Sequence, residues 1–585
     1  MKRREFLALA GIGAVATMTL SSCSLIDGSS SASAGSSGAF PSSWKDEITI
    51  DVFDDLANYQ GIATGWFAKL VKDKFNMKLN MIAPNVAGGG DTLFNTRSAA
   101  GDLGDLVLLG SSAHLPQALK GGLLLDASPY YKNMGNVQKY DAAVKNVNKG
   151  QKGTFGFPTT VSSLKPTVSS EATDPLSAPF LRWDLYAQLG YPEINNLDDL
   201  LDVLQKMQHL QPKAPNGKPV YAFSFFKDWD SFVMQNATQF QGYYGYTQAG
   251  LVFAAADGSD YQSVLDSDGY YVQSLRLYAK ASRMGLVDPD SPTQNYSALF
   301  TKFQNGEVLF SWWPWLGGSA YNTDANMKAG KGFQMAPLKN MKVYSAGVQP
   351  YGGSTSFAIG AKAKDPQRVA AFIDWLYSPE GVYANSGGVL ATPGPEGMTW
   401  TNSSGKPDLN PFGQKTLLDG GTDTVSASYG GGTFSKGVSP INVVTVDLVD
   451  KDPATGQPFT YMVWPSYQAL VENPLTKDWS AKMAGQKTTM AYLQKKGELV
   501  VAPGSGYIAP TDSSEISTLR GQLGTVIVSN SWKMAMSTSE AEFNALLKDM
   551  QTTANGLGYD KVYKVDLANA KAQAAAQKAI VKKFG

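Results

Sequence analysis

Ile48-Thr49-Ile50-Asp51-Val52-Phe53 opens the stretch that decides the fold. It alternates, is rich in β-branched residues, and predicts a strand. A helix-like stretch follows to Phe75, then a second strand over Lys78–Ile82. Leu93–Ala100 reads as helix, and Leu106-Val107-Leu108-Leu109 as a short strand buried on both faces. Strand, helix and strand in this order, with short connections, predict right-handed βαβ units and a parallel sheet.

Working outward, a second set begins after the Pro/Ser/Thr-rich stretch Pro158–Pro179. Asn196 is placed to cap a helix whose Leu197, Leu200, Leu201 and Leu204 fall on one face. Val220–Phe225 predicts a strand. Asp365-Pro366 predicts a helix start, with Val369, Phe372, Ile373 and Leu376 buried. Ser539-x-x-Glu542 predicts a capping box ahead of Phe543, Leu546, Leu547 and Met550. Ala568–Lys582 predicts a terminal helix. Residues 395–460, rich in Gly, Pro, Ser and Thr, carry no periodicity that assigns them. No fixed-period repeat is present, which excludes solenoids and propellers.

The 585 residues suffice for two to four domains with ample core. Fifty Lys and Arg balance 50 Asp and Glu, so the basic footprint of a nucleic-acid binder is missing. One cysteine excludes a disulfide framework and a cysteine zinc cluster. Only two histidines, His114 and His209, leave little room for histidine-dependent catalysis. There is no GxSxG, HExxH or P-loop. The composition is that of a neutral, aromatic-rich globular protein whose work is not chemistry, and neither a cofactor nor a metal is expected.

Met1–Arg4 is basic, and Phe6–Leu20 is a 15-residue apolar run. At 1.5 Å per residue it makes about 22 Å of helix, short of a roughly 30 Å hydrocarbon core. Residues 1–22 therefore read as a signal peptide. The single cysteine, Cys23, ends Leu20-Ser21-Ser22-Cys23, which resembles a bacterial lipobox whose cysteine is acylated. Arg3-Arg4-Glu5-Phe6-Leu7 resembles a twin-arginine export core, and the general secretory route fits equally. Gly28–Gly38 holds only Gly, Ser and Ala, so residues 23–44 read as a lipidated cysteine and flexible tether. The expected location is the outer face of the bacterial cytoplasmic membrane.

Five further segments, in order, resemble the family 1 extracellular solute-binding proteins of ABC transporters. They are Gly104–Val107 with Gly121–Asp126, Phe180–Gly190 with its Trp183-Asp184-Leu185-Tyr186, Asn196–Leu200, Phe303-x-x-Gly306-Glu307-Val308 with Trp312 and Trp315, and Ala370–Gly381. The C-terminal half resembles only the large saccharide-type lipoproteins, near Phe543–Gly558. The resemblance implies an α/β, two-lobed periplasmic-binding-protein-like fold with a ligand cleft between the lobes. Lobe one would hold residues 45–160 and about 350–390. Lobe two would hold 165–345 and much of 395–585. The implied function is a monomeric lipoprotein that captures a mono- or oligosaccharide and delivers it to ABC permease subunits. Some relatives carry a calcium loop before the strand matching Val220–Phe225. Here that place reads Pro212-Lys213-Ala214-Pro215-Asn216-Gly217-Lys218, with no carboxylate to hold calcium.

The densest aromatic run is Ser311-Trp312-Trp313-Pro314-Trp315. An indole offers a flat face to the C–H surface of a pyranose and an N–H to a hydroxyl. On a strand Trp312 and Trp313 face opposite sides, so at most one enters a cleft. Pro314 marks a strand end and favours Trp312 or Trp315. The other reading puts all three in the core. Asp54 and Asp55 end the first strand, with Asn58 and Tyr59 following, and either bind hydroxyls or cap a helix. Ser111 and His114 end another strand, and the site and surface readings of His114 weigh equally. His209 reads as a helix-end cation. Arg182 replaces an asparagine of many relatives and either binds ligand or pairs with Asp184. Trp229 and Tyr351 are second-rank candidates at strand-to-loop positions. An exported hydrolase and a surface glycan-binding adhesin are the alternatives; the first needs two acids about 5 to 10 Å apart, which 50 acids always allow.

Overall fold

In the computed structural model, which describes residues 39–84, 86, 91–111, 113–385, 391–418 and 420–585, Ile48–Asp54 is the third strand of a six-stranded sheet. The order is Gly61–Ile62, Met77–Ile82, Ile48–Asp54, Leu106–Leu109, Ser356–Ile359, Gly156–Pro158. Ile48–Asp54 runs parallel to both neighbours, with Ile50 opposite Leu79 and Phe53 opposite Val107. Ser356–Ile359 is antiparallel to its two neighbours, and Gly61–Ile62 to Met77–Ile82. The sheet is thus mixed, where the local pattern predicts a parallel one. Ser356–Ile359 arrives from a distant part of the chain, so no local helical crossover constrains its direction.

Alternation along the strands feeds two cores. Ile50, Val52, Leu106 and Leu108 pack with Trp66, Phe67, Phe75 and Phe372. Phe53, Val107 and Leu109 face the opposite way, onto Phe94, Leu103 and Leu115. Both faces are covered, which is why Leu106–Leu109 can be apolar throughout.

The helices follow their caps. Asn196 accepts the Asp199 N–H ahead of Leu197–Leu210, and Asp365 accepts the Arg368 N–H ahead of Pro366–Leu376. Ser539 accepts the Glu542 N–H, but the Glu542 carboxylate turns to the N–H and hydroxyl of Thr538. Only half the predicted capping box forms. Val220–Phe225 is held through single parallel bridges, Tyr221 to Val308 and Phe223 to Val287, rather than a ladder. The terminal helix starts early, spanning Tyr559–Phe584.

A separate large core defines the second lobe. Phe180–Arg182 lies between antiparallel Phe310–Ser311 and Phe333–Met335, over Trp183, Leu204, Phe223, Tyr278 and Trp312. The region beyond 395 is divided between the lobes. Trp400, Phe434, Ile441, Phe459 and Trp464 join the first core, whereas Trp479, Leu523, Phe543 and Val562 join the second. Residues 398–464 therefore pack with the first core, and the longer stretch from Leu475 onward packs with the second. Aromatic edge contacts such as Trp400–Trp464, not a periodic face, hold this segment.

Crossing segments pack side by side between the cores. Val161 bridges both Gln349 and Val446, and Val343–Ala346 runs parallel to Leu499–Ala502. Gly347 lets them approach: a Cβ there would lie 2.0 Å from the Pro166 carbonyl oxygen. The signal peptide, the Gly/Ser/Ala tether and Cys23 lie outside the described residues. Among the described residues no helix is long and apolar enough to cross a membrane.

Candidate functional site

The aromatic run divides at Pro314. Proline at the first position of helix Pro314–Tyr321 ends the strand Phe310–Ser311. Trp312 turns inward and is 0% exposed, packed against Phe223, Phe225, Phe310 and Tyr278. It cannot touch a ligand, so the ligand reading of Trp312 is corrected to core. Trp313 points the other way. Its indole N–H donates to Gln239 Oε1 at 3.0 Å, and its ring stacks on Trp315 at 5.2 Å and 19°.

Beside this pair, Trp229 stacks on Tyr296 at 5.1 Å and 21° and lies 5.7 Å from Trp315. Asp228 accepts the Tyr296 N–H at 2.8 Å and so fixes the start of helix Tyr296–Gln304. Trp229 is 42% exposed and Trp315 37%. Three chain segments thus present a shared aromatic surface. Tyr296 was not among the sequence candidates; its stacking on Trp229 joins residues 67 positions apart, which no local pattern reveals.

The first-lobe candidates form a linked polar cluster. Asp54 is buried, accepting the N–H groups of Leu56 and Asn442, and burial pushes its carboxyl up to about 7. Asp55 accepts the Gly110 N–H at 2.8 Å and lies 2.6 Å from His114 Nδ1. His114 is buried, stacked on Phe94 at 3.9 Å, with Nε2 3.3 Å from Asp91. The hydrogen bond to Asp55 raises the His114 pKa. Ser111 Oγ accepts the Ala113 N–H. These groups satisfy one another, which corrects the reading of Asp54 as a free hydroxyl acceptor. Tyr59 stays exposed, donates to the Ile62 carbonyl, and with Asn58, Thr64, Lys436, Ser439 and Asn442 lines a cavity of about 420 Å³. The 435–442 wall, Ser435-Lys436-Gly437-Val438-Ser439-Pro440-Ile441-Asn442, carries no motif or period that marks it in the sequence.

Two candidates lie elsewhere. Arg182 is buried, forked onto Asp184 at 2.8 and 2.7 Å and seated 4.2 Å over the Tyr321 ring. It is an internal ion pair, which settles the two readings in favour of Asp184. Tyr351 sits near the crossing segments, where Lys583 donates to its hydroxyl and Phe584 packs edge-on. It anchors the terminal helix. A cavity of about 710 Å³ lies beside the crossing segments, with Glu171, Gln468 and Lys487 in its wall and none of the sequence candidates.

In the Pro212–Lys218 loop, Asn216 donates to Glu307, and the Ala214 N–H to the Lys218 carbonyl. Among the described residues no group of three His, Cys, Asp or Glu side chains could hold a metal ion. Exposed indoles beside hydroxyl and amide groups can bind by stacking and hydrogen bonding.

No curated protein sequence matches the chain significantly. Solved structures with the same fold include the Streptococcus pneumoniae ABC-transporter substrate-binding protein FusA in complex with kestose. It is 14% identical, with a TM-score of 0.56, covering 92% of this chain and 100% of that one. An HMO-binding ABC-transporter-associated solute-binding protein from Bifidobacterium longum infantis is 15% identical, TM-score 0.55, covering 90% and 98%. The alginate-binding protein AlgQ2 is 14% identical, TM-score 0.55, covering 91% and 99%. The sequence profile of the family described as bacterial extracellular solute-binding protein matches residues 64–383, more than half of the chain, and the chain belongs to that family.

Proposed function

We propose that this protein is the substrate-binding lipoprotein of an ABC importer and captures a saccharide between its two lobes. The observation that carries this reading is the exposed aromatic surface of Trp229 and Trp315, backed by Tyr296 and Trp313. A soluble fold leaves two indoles of one cluster in water where a ligand replaces that water. A pyranose stacks its C–H face on such rings and directs its hydroxyls to polar groups around it. Asn58, Tyr59 and Asn442, which line a cavity of the first lobe, would supply such groups from that side. The solved structures of the same fold include a kestose complex and HMO- and alginate-binding proteins, which supports a carbohydrate ligand.

Acylation of Cys23 would hold the protein at the outer membrane face, since two or more acyl chains give stable anchoring. Permease subunits would then receive the closed, loaded form, with the binding protein acting as a monomer.

The test is a thermal-shift screen of the soluble body over a glycan panel, followed by calorimetry. A ligand at 100 times its Kd stabilises by about 2.7 kcal/mol. Labelled oligosaccharide recovered bound and unchanged is the expected result. Cleavage would indicate a hydrolase, and a panel without any stabiliser would overturn the carbohydrate reading.

A further inference from the structure

The stacked indoles Trp313 and Trp315 are only as useful as their orientation is fixed. Trp315 has no side-chain hydrogen bond among the described residues and is held by neighbouring rings, Trp313 at 5.2 Å, Trp229 at 5.7 Å and Tyr296 at 6.2 Å. Trp313 is different: its buried indole N–H donates to Gln239 Oε1 at 3.0 Å. An indole N–H is donor only, so the amide must present its oxygen there. The amide nitrogen is also committed, donating to the Gln235 carbonyl and to Thr238 Oγ1, both at 3.1 Å. Gln239 is itself 8% exposed, so water does not compete for these contacts. Its backbone carbonyl accepts the Ser177 hydroxyl, in the segment that enters the second lobe.

We propose that Gln239 is a positioning residue for ligand binding: it locks the Trp313 ring and thereby the plane that Trp315 offers to the ligand. This rests on the saccharide reading above. Nothing in the run Met234–Tyr244 marks Gln239 by pattern, because its partner lies 74 residues on. Without an acceptor at this point the Trp313 N–H is buried and unpaired, and the ring turns to find another partner. Trp315, stacked on it, follows.

The experiment uses protein labelled with 5-fluorotryptophan, the Trp313 and Trp315 signals being assigned by their loss in Trp313→Phe and Trp315→Phe. Gln239→Met is expected to shift or broaden both signals and to weaken binding of the best glycan from the panel roughly 2- to 12-fold, the range for one hydrogen bond. In the Trp313→Phe background, which has no N–H to anchor, Gln239→Met should change neither the Trp315 signal nor the affinity. Gln239→Glu keeps an acceptor and should leave both signals near their original positions; it also serves if the methionine variant does not fold. The proposal is overturned if Gln239→Met leaves both signals in place, if its effect recurs undiminished beside Trp313→Phe, or if glutamate behaves as methionine does. The fluorine measurements need no ligand. Should no glycan bind, the saccharide reading fails while the positioning of the two indoles is still decided.

Discussion

Trp312 and Trp315 are three residues apart and have opposite fates. Trp315→Ala should weaken saccharide binding roughly 5- to 150-fold, by analogy with the 1–3 kcal/mol of base stacking on an aromatic ring. Being 37% exposed, the ring should cost little stability when removed. Trp312→Ala empties a site walled by six aromatic rings and should destabilise the fold by about 3–5 kcal/mol. Calorimetry and urea unfolding on both variants check this; a binding defect with intact stability in Trp312→Ala would contradict the burial. His114 carries a second residue-scale expectation. Its hydrogen bond to Asp55 favours the imidazolium in the fold. The stability it contributes is full below its unfolded pKa, near 6.5, and is lost as pH rises through the higher folded value. Buried Asp54, held at about 7, acts in the same direction at lower pH, since its protonated form is favoured in the fold. Unfolding free energy should therefore fall more steeply above pH 6.5 in the wild type than in His114→Gln. Parallel profiles would remove His114 as the cause.

At the scale of elements, the helix Gly65–Phe75 and the segment around Gly437 meet backbone to backbone. Gly65 has φ +81°, and a Cβ on it would lie 2.4 Å from Gly437 Cα. A Cβ on Gly437 would lie 2.5 Å from the Trp66 ring. This approach lets Trp66 stack on Phe434 at 5.4 Å and donate its N–H to the Phe434 carbonyl at 2.9 Å. Gly437→Ala should push the 434–442 segment off the first lobe and with it the wall of the cavity beside Tyr59. The expected signature is faster amide exchange over 430–445 with the second lobe unchanged. Unaltered exchange there would show that the contact yields without consequence.

Two cores joined by crossing segments would let one lobe move against the other. A saccharide stacked on the second lobe and bonded to the first gains most when the lobes are closed, so ligand should lower the radius of gyration in small-angle scattering. An unchanged radius at saturating ligand would remove the closing mechanism. Cys23→Ala should release the full-length protein from membranes without altering its affinity. A variant that stays bound after a carbonate wash would rule out the acyl anchor.

The sequence by itself determined what is local. Alternation placed the strand at Ile48 and a continuous apolar run the one at Leu106, side-chain caps at Asn196 and Asp365 started their helices, and five spaced segments identified the family. These features act within a few residues, through backbone hydrogen bonds and one-sided burial, so they are written in neighbouring letters. Tertiary structure alone decided what depends on distant partners. It sent Trp312 into the core and left Trp315 in water, seated the buried Arg182 over the Tyr321 ring, and joined Asp54 to Asn442 across 388 residues. It also gave 398–464 to the first lobe through aromatic packing that has no period. The physical reason is the same in each case: burial and polar pairing are set by which surfaces meet, and composition does not say which surfaces those are.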